Sequence, residues 1–474
     1  MAENGNSLLP AEKKRLKMTS SSSPSAEDRI SKLPDALILH ILSFLPTVDI
    51  VSTSLLSNRW KLMWYLVPNL SFSITPSEYK TSVDKVKLCN FIGCFLEHRK
   101  KAMFYIRESV VTSFNIKITS YDSTMDHRLD KWLAFAAEKK VKEVNLWLGI
   151  ESSYSLPIPL VNATYLTVLE LKSVRLDCRY SFSFPSLKSL SLTNSVFKDK
   201  YVLEQLLLGS PSLEKLCIND CGFYGHSRPY VVRSSTLKFL VIKFYRTYSG
   251  VMQIEAINLE SLELHGVSFD KLDFSVCKAI TNLSFTCVWN MNESSSLENL
   301  IPNLPLLENL TLGNMRGGNL KDIKILSQNM KSFNVNNRYD GEMTVVIEWA
   351  PKLASFSYTG NINFCITMES SNFLNGTFEI LKIENNFEDD WFISMIEFLL
   401  NLNCSWNMVT LHVDKAEPLI GLINLKIISP LPLVNWEHLR VLTKCKLEKE
   451  SELRDALRWI FPSLKTISIA KRTS

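Results

Sequence analysis

The sequence predicts an α/β fold, in which a small N-terminal module of three short helices precedes a repeat solenoid with a concave parallel sheet. Two observations predict this fold. One apolar stripe with helical spacing runs from Leu33 to Leu45, and a short apolar unit recurs from Val141 onward at steps of 21 to 27 residues. The length of 474 residues exceeds what one compact core usually reaches, which also favours an elongated repeat architecture.

Composition excludes several classes of function. The chain has 53 Lys and Arg against 48 Asp and Glu, and its net charge of +5 is too small to predict nucleic-acid binding. The N-terminus lacks the apolar core of a secretory signal. The longest strongly apolar stretch, 391–402, is shorter than the roughly 20 residues of a membrane span. We therefore expect no nucleic-acid or membrane partner, a cytoplasmic and/or nuclear location, and reduced cysteines that fill the core, such as Cys178, Cys217 and Cys287.

Residues 1–27 are predicted to form a flexible tail, because they are rich in serine and show no apolar periodicity. A short basic run, Lys13, Lys14, Arg15 and Lys17, lies in this tail. Such a run is found in nuclear-import signals, and it is also common in plain solvated tails. Both interpretations remain open.

Residues 28–70 show a helical pattern. Apolar residues at steps of three and four predict one amphipathic helix that is ended by Pro46, since proline removes a backbone donor. A second short helix is predicted from Thr47 and a third through Trp60. Three such helices bury little surface, so a partner is expected to complete the module.

Residues 71–140 are interpreted as a transition segment into the repeats. Their apolar spacing predicts a helix around Val83 to Phe95, a strand at Phe114 to Ile118 and a helix at Leu129 to Ala136.

Residues 141–474 are predicted to form the solenoid. Each repeat unit contains three apolar residues: two residues separate the first from the second, and one residue separates the second from the third. A series of such units at near-constant spacing indicates leucine-rich repeats. The units are Val141-Val144-Leu146, Leu166-Leu169-Leu171, Leu187-Leu190-Leu192, Leu213-Leu216-Ile218, Leu237-Leu240-Ile242, Leu259-Leu262-Leu264, Ile280-Leu283-Phe285, Leu307-Leu310-Leu312, Met330-Phe333-Val335, Leu353-Phe356-Tyr358 and Phe378-Leu381-Ile383, with looser copies at Met408-Leu411-Val413, Leu422-Leu425-Ile427 and Leu464-Ile467-Ile469.

The last two apolar residues of a unit lie two apart, so they point to one side of a strand, into the core. The residues between them face solvent. Apolar segments between the strands predict helices on the opposite side at Val202 to Leu208, Leu297 to Ile301 and Trp391 to Leu400.

The segment DRISKLPDALILHILSFLPTVDIVSTSLLSNRWKLMWYLVPNL, residues 28–70, resembles the F-box. Its motif elements are Leu33-Pro34-Asp35, Leu45-Pro46, and Ser57, Arg59 and Trp60. Together with the repeats, the chain from about 28 to 470 resembles the plant F-box/leucine-rich-repeat family. The resemblance implies a non-catalytic, substrate-recognising subunit of an SCF-type ubiquitin ligase. Its F-box would bind a Skp-type adaptor, and through it a cullin and a RING subunit, while the repeats hold an unknown target protein.

The resemblance assigns roles to two sets of F-box residues. The adaptor contact is expected from Leu33, Pro34, Ile38, Ile41, Leu42 and Leu45. The small F-box core is expected from Val48, Val51, Leu55 and Trp60. The alternative is that all of these residues serve internal packing only.

The target is expected on outward residues of the strands, which line the concave side of such a solenoid. Apolar outward residues can anchor a partner and short polar ones can form hydrogen bonds with it. The candidates are Phe239, Val241, Lys243, His265, Asn282 and Thr286. Small polar residues are also common on any solvated strand, so ordinary solvation remains the alternative.

No catalytic motif, cofactor or metal site is predicted. Cys217, Cys221 and His226 come closest to a metal site, but ordinary packing is favoured over ligation. Gly313, Gly317 and Gly318 indicate a turn, because no lysine follows them as in a phosphate-binding loop. Besides the ligase subunit, an intracellular leucine-rich-repeat scaffold or receptor without a ligase role remains possible, whereas an enzyme has no support in the sequence.

Overall fold

A computed structural model describes residues 32–57, 59–79, 81–106, 109–149, 152–177, 181–199, 201–223, 229–248, 250–288, 301–314, 321–338, 342–368, 374–381, 389–402, 404–413, 417–421, 436–443 and 449–471. The chain forms two compact units, the first ending at Val67 and the second beginning at Pro68. This division lies close to the predicted boundary at residue 70. The predicted tail at 1–27 lies outside the described residues.

Three short helices form the first unit, as predicted: α1 (Asp35–Leu42), α2 (Thr47–Ser52) and α3 (Trp60–Met63), with a 3-10 turn at Thr53–Leu55. The predicted end of the first helix at Pro46 is wrong. The helix already ends at Leu42, where the Leu45 amide donates to the Leu42 carbonyl at 3.0 Å and closes a turn. Pro46 instead precedes α2, and its carbonyl accepts from the Ile50 amide at 3.0 Å.

The second unit contains twenty-five strands among the described residues. Their bounds are β1 (Asn69–Ile74), β2 (Ser113–Ile118), β3 (Glu143–Leu148), β4 (Val168–Lys172), β5 (Arg175–Leu176), β6 (Ser189–Thr193), β7 (Val196–Phe197), β8 (Lys215–Asn219), β9 (Gly222–Phe223), β10 (Tyr230–Arg233), β11 (Phe239–Tyr248), β12 (Met252–Glu255), β13 (Ser261–Ser268), β14 (Leu272–Asp273), β15 (Asn282–Val288), β16 (Asn309–Asn314), β17 (Asp322–Leu326), β18 (Ser332–Asn337), β19 (Met343–Trp349), β20 (Ser355–Gly360), β21 (Phe364–Met368), β22 (Leu374–Ile380), β23 (Trp406–Val413), β24 (His438–Thr443) and β25 (Thr466–Lys471).

Sixteen of these strands form one continuous parallel sheet, which is the main sheet of the solenoid. Its order is β1-β2-β3-β4-β6-β8-β11-β13-β15-β16-β18-β20-β22-β23-β24-β25. Alternate residues of most of these strands are buried, and they stay in register between neighbouring strands. Leu240 of β11, for example, pairs with Leu262 of β13, which pairs with Leu283 of β15, and all three are buried. The residues between the buried ones form the opposite side of the sheet, which we call the open face.

The main sheet begins earlier than the sequence predicts. The predicted strand at Phe114 to Ile118 is present as β2, but β1 precedes it and pairs with it in parallel. Residues 69–118 therefore already contribute two strands to the solenoid, so the interpretation of 71–140 as a mere transition is wrong. The pattern was hard to see because the 24-residue helix α4 (Ser82–Tyr105) separates β1 from β2, a longer interval than in the later repeats.

The remaining nine strands form three small parallel sheets outside the main sheet, β5-β7-β9, β10-β12-β14 and β17-β19-β21. These sheets were not predicted. The first of them depends on a repeated turn, because Ser173, Asn194 and Asp220 each follow a main-sheet strand with φ of 58, 47 and 52°. This left-handed conformation redirects the chain into β5, β7 and β9.

The predicted repeat register is correct for most units and wrong for two. The unit Met408-Leu411-Val413 was placed two residues too late, because Leu411 pairs with Phe378 and Val441 and therefore closes its repeat. The unit Phe378-Leu381-Ile383 was placed five residues too late. Strand β22 ends at Ile380 and pairs Phe356 with Gly376 and Tyr358 with Phe378, so Phe378 closes the repeat instead of opening it. The unit Leu422-Leu425-Ile427 lies outside the described residues. A strand that the sequence analysis missed, β24, pairs with both β23 and β25.

Helices connect some of the strands: α5 (Asp126–Glu138), α6 (Ile158–Val161), α7 (Tyr201–Leu208), α8 (Asp389–Asn401), α9 (Glu417–Gly421) and α10 (Glu450–Ile460). Helices α4, α5, α7 and α8 confirm four predicted helices. Of the predicted helix at Leu297 to Ile301, only Ile301 is described, and it begins a 3-10 turn at Ile301–Asn303. In the described ranges, no helix is both long and apolar enough to cross a bilayer.

Two glycines, Gly93 and Gly266, are expected to respond in opposite directions when alanine replaces them, because their backbone conformations differ. Gly93 lies inside α4, where an added Cβ would meet only Trp132 Nε1, at 4.0 Å. Gly93→Ala is expected to raise the free energy of unfolding by about 0.5–1 kcal/mol in urea denaturation, because alanine loses less backbone entropy in a helix.

Gly266→Ala is the control with the opposite sign. Gly266 has φ +75°, and its added Cβ would lie 2.3 Å from the Phe244 carbonyl oxygen. We expect a loss of roughly 1–3 kcal/mol from the backbone strain alone. Equal effects of the two substitutions would contradict these local assignments.

Candidate protein-binding surfaces

The first unit exposes seven large apolar side chains, which we call the N-terminal apolar surface. All of them lie on the helices or the turns between them, and four are more than half exposed: Phe44, Leu55, Leu56 and Leu62, with Leu37, Ile41 and Val48 less so. A unit of this size would bury such residues if it could. Their exposure makes this surface a candidate for contact with another protein.

The predicted adaptor residues divide between this surface and the interior. Ile41 and Pro34 are exposed, and Leu33 and Leu45 are half-buried. Ile38 and Leu42 are 0% exposed, so their assignment to the adaptor contact is wrong. They lie one helical turn apart on α1 and face the core of the unit, whereas Ile41 lies on the other side of the same helix.

The predicted core of the first unit is correct in one position and wrong in two. Trp60 is buried, Val51 is half-buried, and Val48 and Leu55 are exposed. Helix α2 buries Thr47 and Ile50 in their place. The observed core consists of Ile38, Leu42, Ile50, Trp60, Met63 and Val67, with Leu33, Leu39, Leu45, Trp64 and Leu66 packed against it.

Arg59 links the two ends of the first unit. Its Nε donates to Asp35 Oδ1 at 3.0 Å, and its Nη2 donates to the Leu33 carbonyl at 2.6 Å and also to the Asp35 carboxylate. Nearby, the Trp60 amide donates to Ser57 Oγ at 3.3 Å. These contacts connect the Leu-Pro-Asp motif to the Ser-Arg-Trp motif, so they fix the start of α1 and present the N-terminal apolar surface in one arrangement.

The predicted target-binding residues, which we call the Phe239 cluster, all lie on the open face of the main sheet. Phe239 of β11 and Asn282 of β15 both pair with Ser261, and Lys243 and Thr286 both pair with His265. The six residues thus share three neighbouring strands. Phe239 is exposed and Val241 is half-buried, which leaves apolar area for a partner.

The polar groups of the Phe239 cluster are largely engaged within the chain. Lys243 Nζ lies 2.7 Å from Glu263 Oε1, and His265 Nδ1 lies 3.1 Å from the Phe244 carbonyl oxygen. Asn309 Nδ2 donates to Asn282 Oδ1 at 2.7 Å. A partner at this cluster would therefore compete with existing contacts.

A second group of residues on the open face includes a tryptophan that the sequence analysis missed. This Trp147 cluster comprises Lys117, Asn145, Trp147, Glu170 and Lys172, on β2, β3 and β4. Lys117, Trp147 and Lys172 are aligned in register, and the two Nζ atoms lie 5.8 and 5.5 Å from the indole centroid. A pocket of about 230 Å³ is lined by Asn145, Trp147 and Glu170, among others.

The signal for Trp147 was present in the sequence. Val144, Leu146 and Leu148 point into the core, so Trp147 between the last two must point outward. An outward tryptophan on a sheet is unusual enough to be a candidate contact residue. The predicted candidates all lie on later strands and do not include it.

Comparison with known families finds one matching segment in each part of the chain. The F-box domain model matches residues 30–71. The model for LRR repeats of the FBD-associated F-box protein At5g56370 matches residues 129–285. The chain therefore resembles F-box/leucine-rich-repeat proteins in these two segments. The family resemblance predicted from the sequence is thereby confirmed.

Two curated proteins with similar sequences come from Arabidopsis thaliana. The putative F-box/LRR-repeat protein At4g15060 is 32% identical over 241 residues, which are 50% of this chain and 54% of the relative. The putative FBD-associated F-box protein At3g50710 is 34% identical over 225 residues, 45% of this chain and 49% of the relative. The chain thus spans about half the length of these relatives.

The two cysteines that come closest to a metal site in the sequence, Cys217 and Cys221, have different surroundings. Cys221 is buried and its burial raises the pKa of the thiol to about 12, which disfavours the thiolate that binds metals. Cys217 lies in the open-face row between Ser191 and Val241, so its assignment to the core is wrong. Within the described part of the chain, no group of three or more His, Cys, Asp and Glu could hold a metal ion. His226, Cys178, Gly317 and Gly318 lie outside that part, as does the side chain of Cys287.

Proposed function

We propose that this chain is the substrate-recognition subunit of an SCF-type ubiquitin ligase. Its F-box docks on a Skp-type adaptor, which joins it to a cullin and a RING subunit. The open face of the repeats captures the target protein for ubiquitination. The chain itself makes and breaks no bond in this proposal. The observation that carries it is the N-terminal apolar surface, on a unit that matches the F-box domain.

The first unit leaves a large part of its apolar surface in contact with water. The buried apolar residues of the first unit form a small core between its three short helices. Seven other large apolar side chains of this unit are exposed to solvent. Burying one such side chain stabilises a complex by about 1.5–3 kcal/mol. A partner that covers several of them therefore gains most of the affinity of a stable complex, even after the cost of association.

Adaptor binding is expected to fail when this surface becomes charged. The variant Ile41→Asp with Phe44→Asp changes two exposed residues and leaves the core of the unit intact. We expect its affinity for a purified Skp-type adaptor to fall at least about a hundredfold in co-purification and titration, because two desolvated carboxylates would lie in the interface.

Leu208→Asp is the matched control, because Leu208 on α7 has the same exposed fraction as Phe44, 74%. It should bind the adaptor like the parent. If the parent chain binds no Skp-type adaptor at all, the ligase role is wrong, and a repeat scaffold or receptor without that role becomes the better interpretation.

A further inference from the structure

We propose that the Trp147 cluster binds an acidic peptide segment of the target protein, with an Asp or Glu carboxylate held between Lys117 and Lys172. The inference rests on the proposed capture of a target by the open face, and it specifies where and by what chemistry. The proposed contact at Trp147 lies on β3, four strands away from β11 in the main sheet. None of the strands of the Trp147 cluster belongs to the Phe239 cluster.

Trp147 is the first reason. Its side chain is 42% exposed on an open face where its neighbours along and across the strands are short or charged. Tryptophan is the residue most enriched among those that dominate binding energy at protein interfaces. The lysines on both neighbouring strands approach the indole ring and hold it in place, so little side-chain entropy remains to be lost on binding.

The charges are the second reason. Lys117 and Lys172 form no ion pair with any described carboxylate, whereas Lys243 on the same face contacts Glu263 at 2.7 Å. Glu170 also lines the pocket. It pairs with Asn145, whereas Lys172 pairs with Trp147. Two cations and one anion leave an excess positive charge at the tryptophan, which a carboxylate of the partner would neutralise.

Asn145 supplies the third reason. Its Nδ2 donates to Asn115 Oδ1 at 2.7 Å, and its own Oδ1 is buried without a partner among the described residues. A buried acceptor without a donor is unfavourable, so the amide would gain by rotating toward the pocket and accepting from an N–H group of a ligand. A peptide offers both the N–H and the carboxylate.

The dimensions favour a peptide over a small molecule. The pocket of about 230 Å³ is smaller than the roughly 300–1,000 Å³ of typical small-molecule sites, but it accommodates one side chain. The open face continues on both sides of it, so a peptide can place one residue in the pocket and extend across adjacent strands.

Selection from a random peptide library tests the inference. Twelve-residue peptides displayed on phage are selected on the purified full chain, and the affinities of the enriched peptides are measured by titration. We expect enrichment of an Asp or Glu next to an aromatic or aliphatic residue. Trp147→Ala should weaken these peptides at least tenfold, and Lys117→Glu with Lys172→Glu should abolish binding.

Two controls keep the test specific. Trp349→Ala removes a tryptophan of similar exposure, 47%, from the small sheet that contains β19, and it should leave the affinity unchanged. Lys117→Arg with Lys172→Arg keeps both charges and should retain at least a third of the affinity. Thermal melting of each variant shows whether it is folded.

Several results would overturn the inference: no enriched peptide, enriched peptides without acidic residues, or equal binding by Trp147→Ala. Displacement of the peptides by millimolar citrate alone would assign the site to small carboxylates, and displacement by a single-stranded oligonucleotide would assign it to nucleic acid. Failure of the adaptor to bind would contradict the ligase role without changing these peptide affinities.

Discussion

Leu264→Asp is expected to unfold the central repeats. Leu264 is completely buried and is aligned with Ile242 and Phe285 on the neighbouring strands. A carboxylate at this position has no described partner for its charge and would destabilise the solenoid by roughly 4 kcal/mol or more. Each repeat depends on its neighbours, so amide hydrogen exchange should accelerate across residues 239–286. Urea denaturation of the full chain measures the loss.

Ser261→Asp is the matched control on the same strand. Ser261 lies on the open face, between Phe239 and Asn282, and its replacement should change the free energy of unfolding by less than about 1 kcal/mol. Equal losses from the two substitutions would mean that the faces of β13 are not assigned correctly.

Leu42→Asp is expected to unfold the F-box while leaving the repeats folded. Leu42 belongs to the small core of the first unit, which has its own set of buried residues ending at Val67. A small core has little stability to spare, so one buried charge exceeds it. Hydrogen exchange should show protection of residues 35–63 falling at least about a hundredfold, since each 1.4 kcal/mol corresponds to a factor of ten.

Ile41→Asp serves as the comparison, because Ile41 is the adjacent residue and is exposed. It should keep the protection of the parent and lose only adaptor binding. A loss of protection in the repeats of the Leu42→Asp variant would show that the two units fold together, contrary to this prediction.

The sequence was sufficient to predict most of the solenoid, because apolar residues two positions apart on a strand lie on the same face and can be buried together in one core. The error at β22 has a specific physical cause. Gly376 occupies the position where other repeats have a buried apolar side chain, and a Cβ there would lie 2.7 Å from the Trp406 ring. The indole from the next strand fills the space, so the apolar pattern is broken in sequence but not in the core.

The F-box could not be divided into core and surface from the sequence alone. Its first helix is apolar on two sides: Ile38 and Leu42 are buried, while Leu37 and Ile41 are exposed. Periodicity identifies such a helix but does not tell which apolar side faces inward. The small parallel sheets were also missed, because strands of two residues carry too few side chains to show alternation.

The position of a surface along the main sheet also determines how long it persists. A ladder of parallel strands opens most readily at its ends, where a strand has one neighbour instead of two. Detachment of β1, β2 and β3 would dismantle the Trp147 cluster and leave β11, β13 and β15 paired. The two proposed contact regions are therefore expected to have different lifetimes, and heating or mechanical pulling should abolish binding at the Trp147 cluster before binding at the Phe239 cluster.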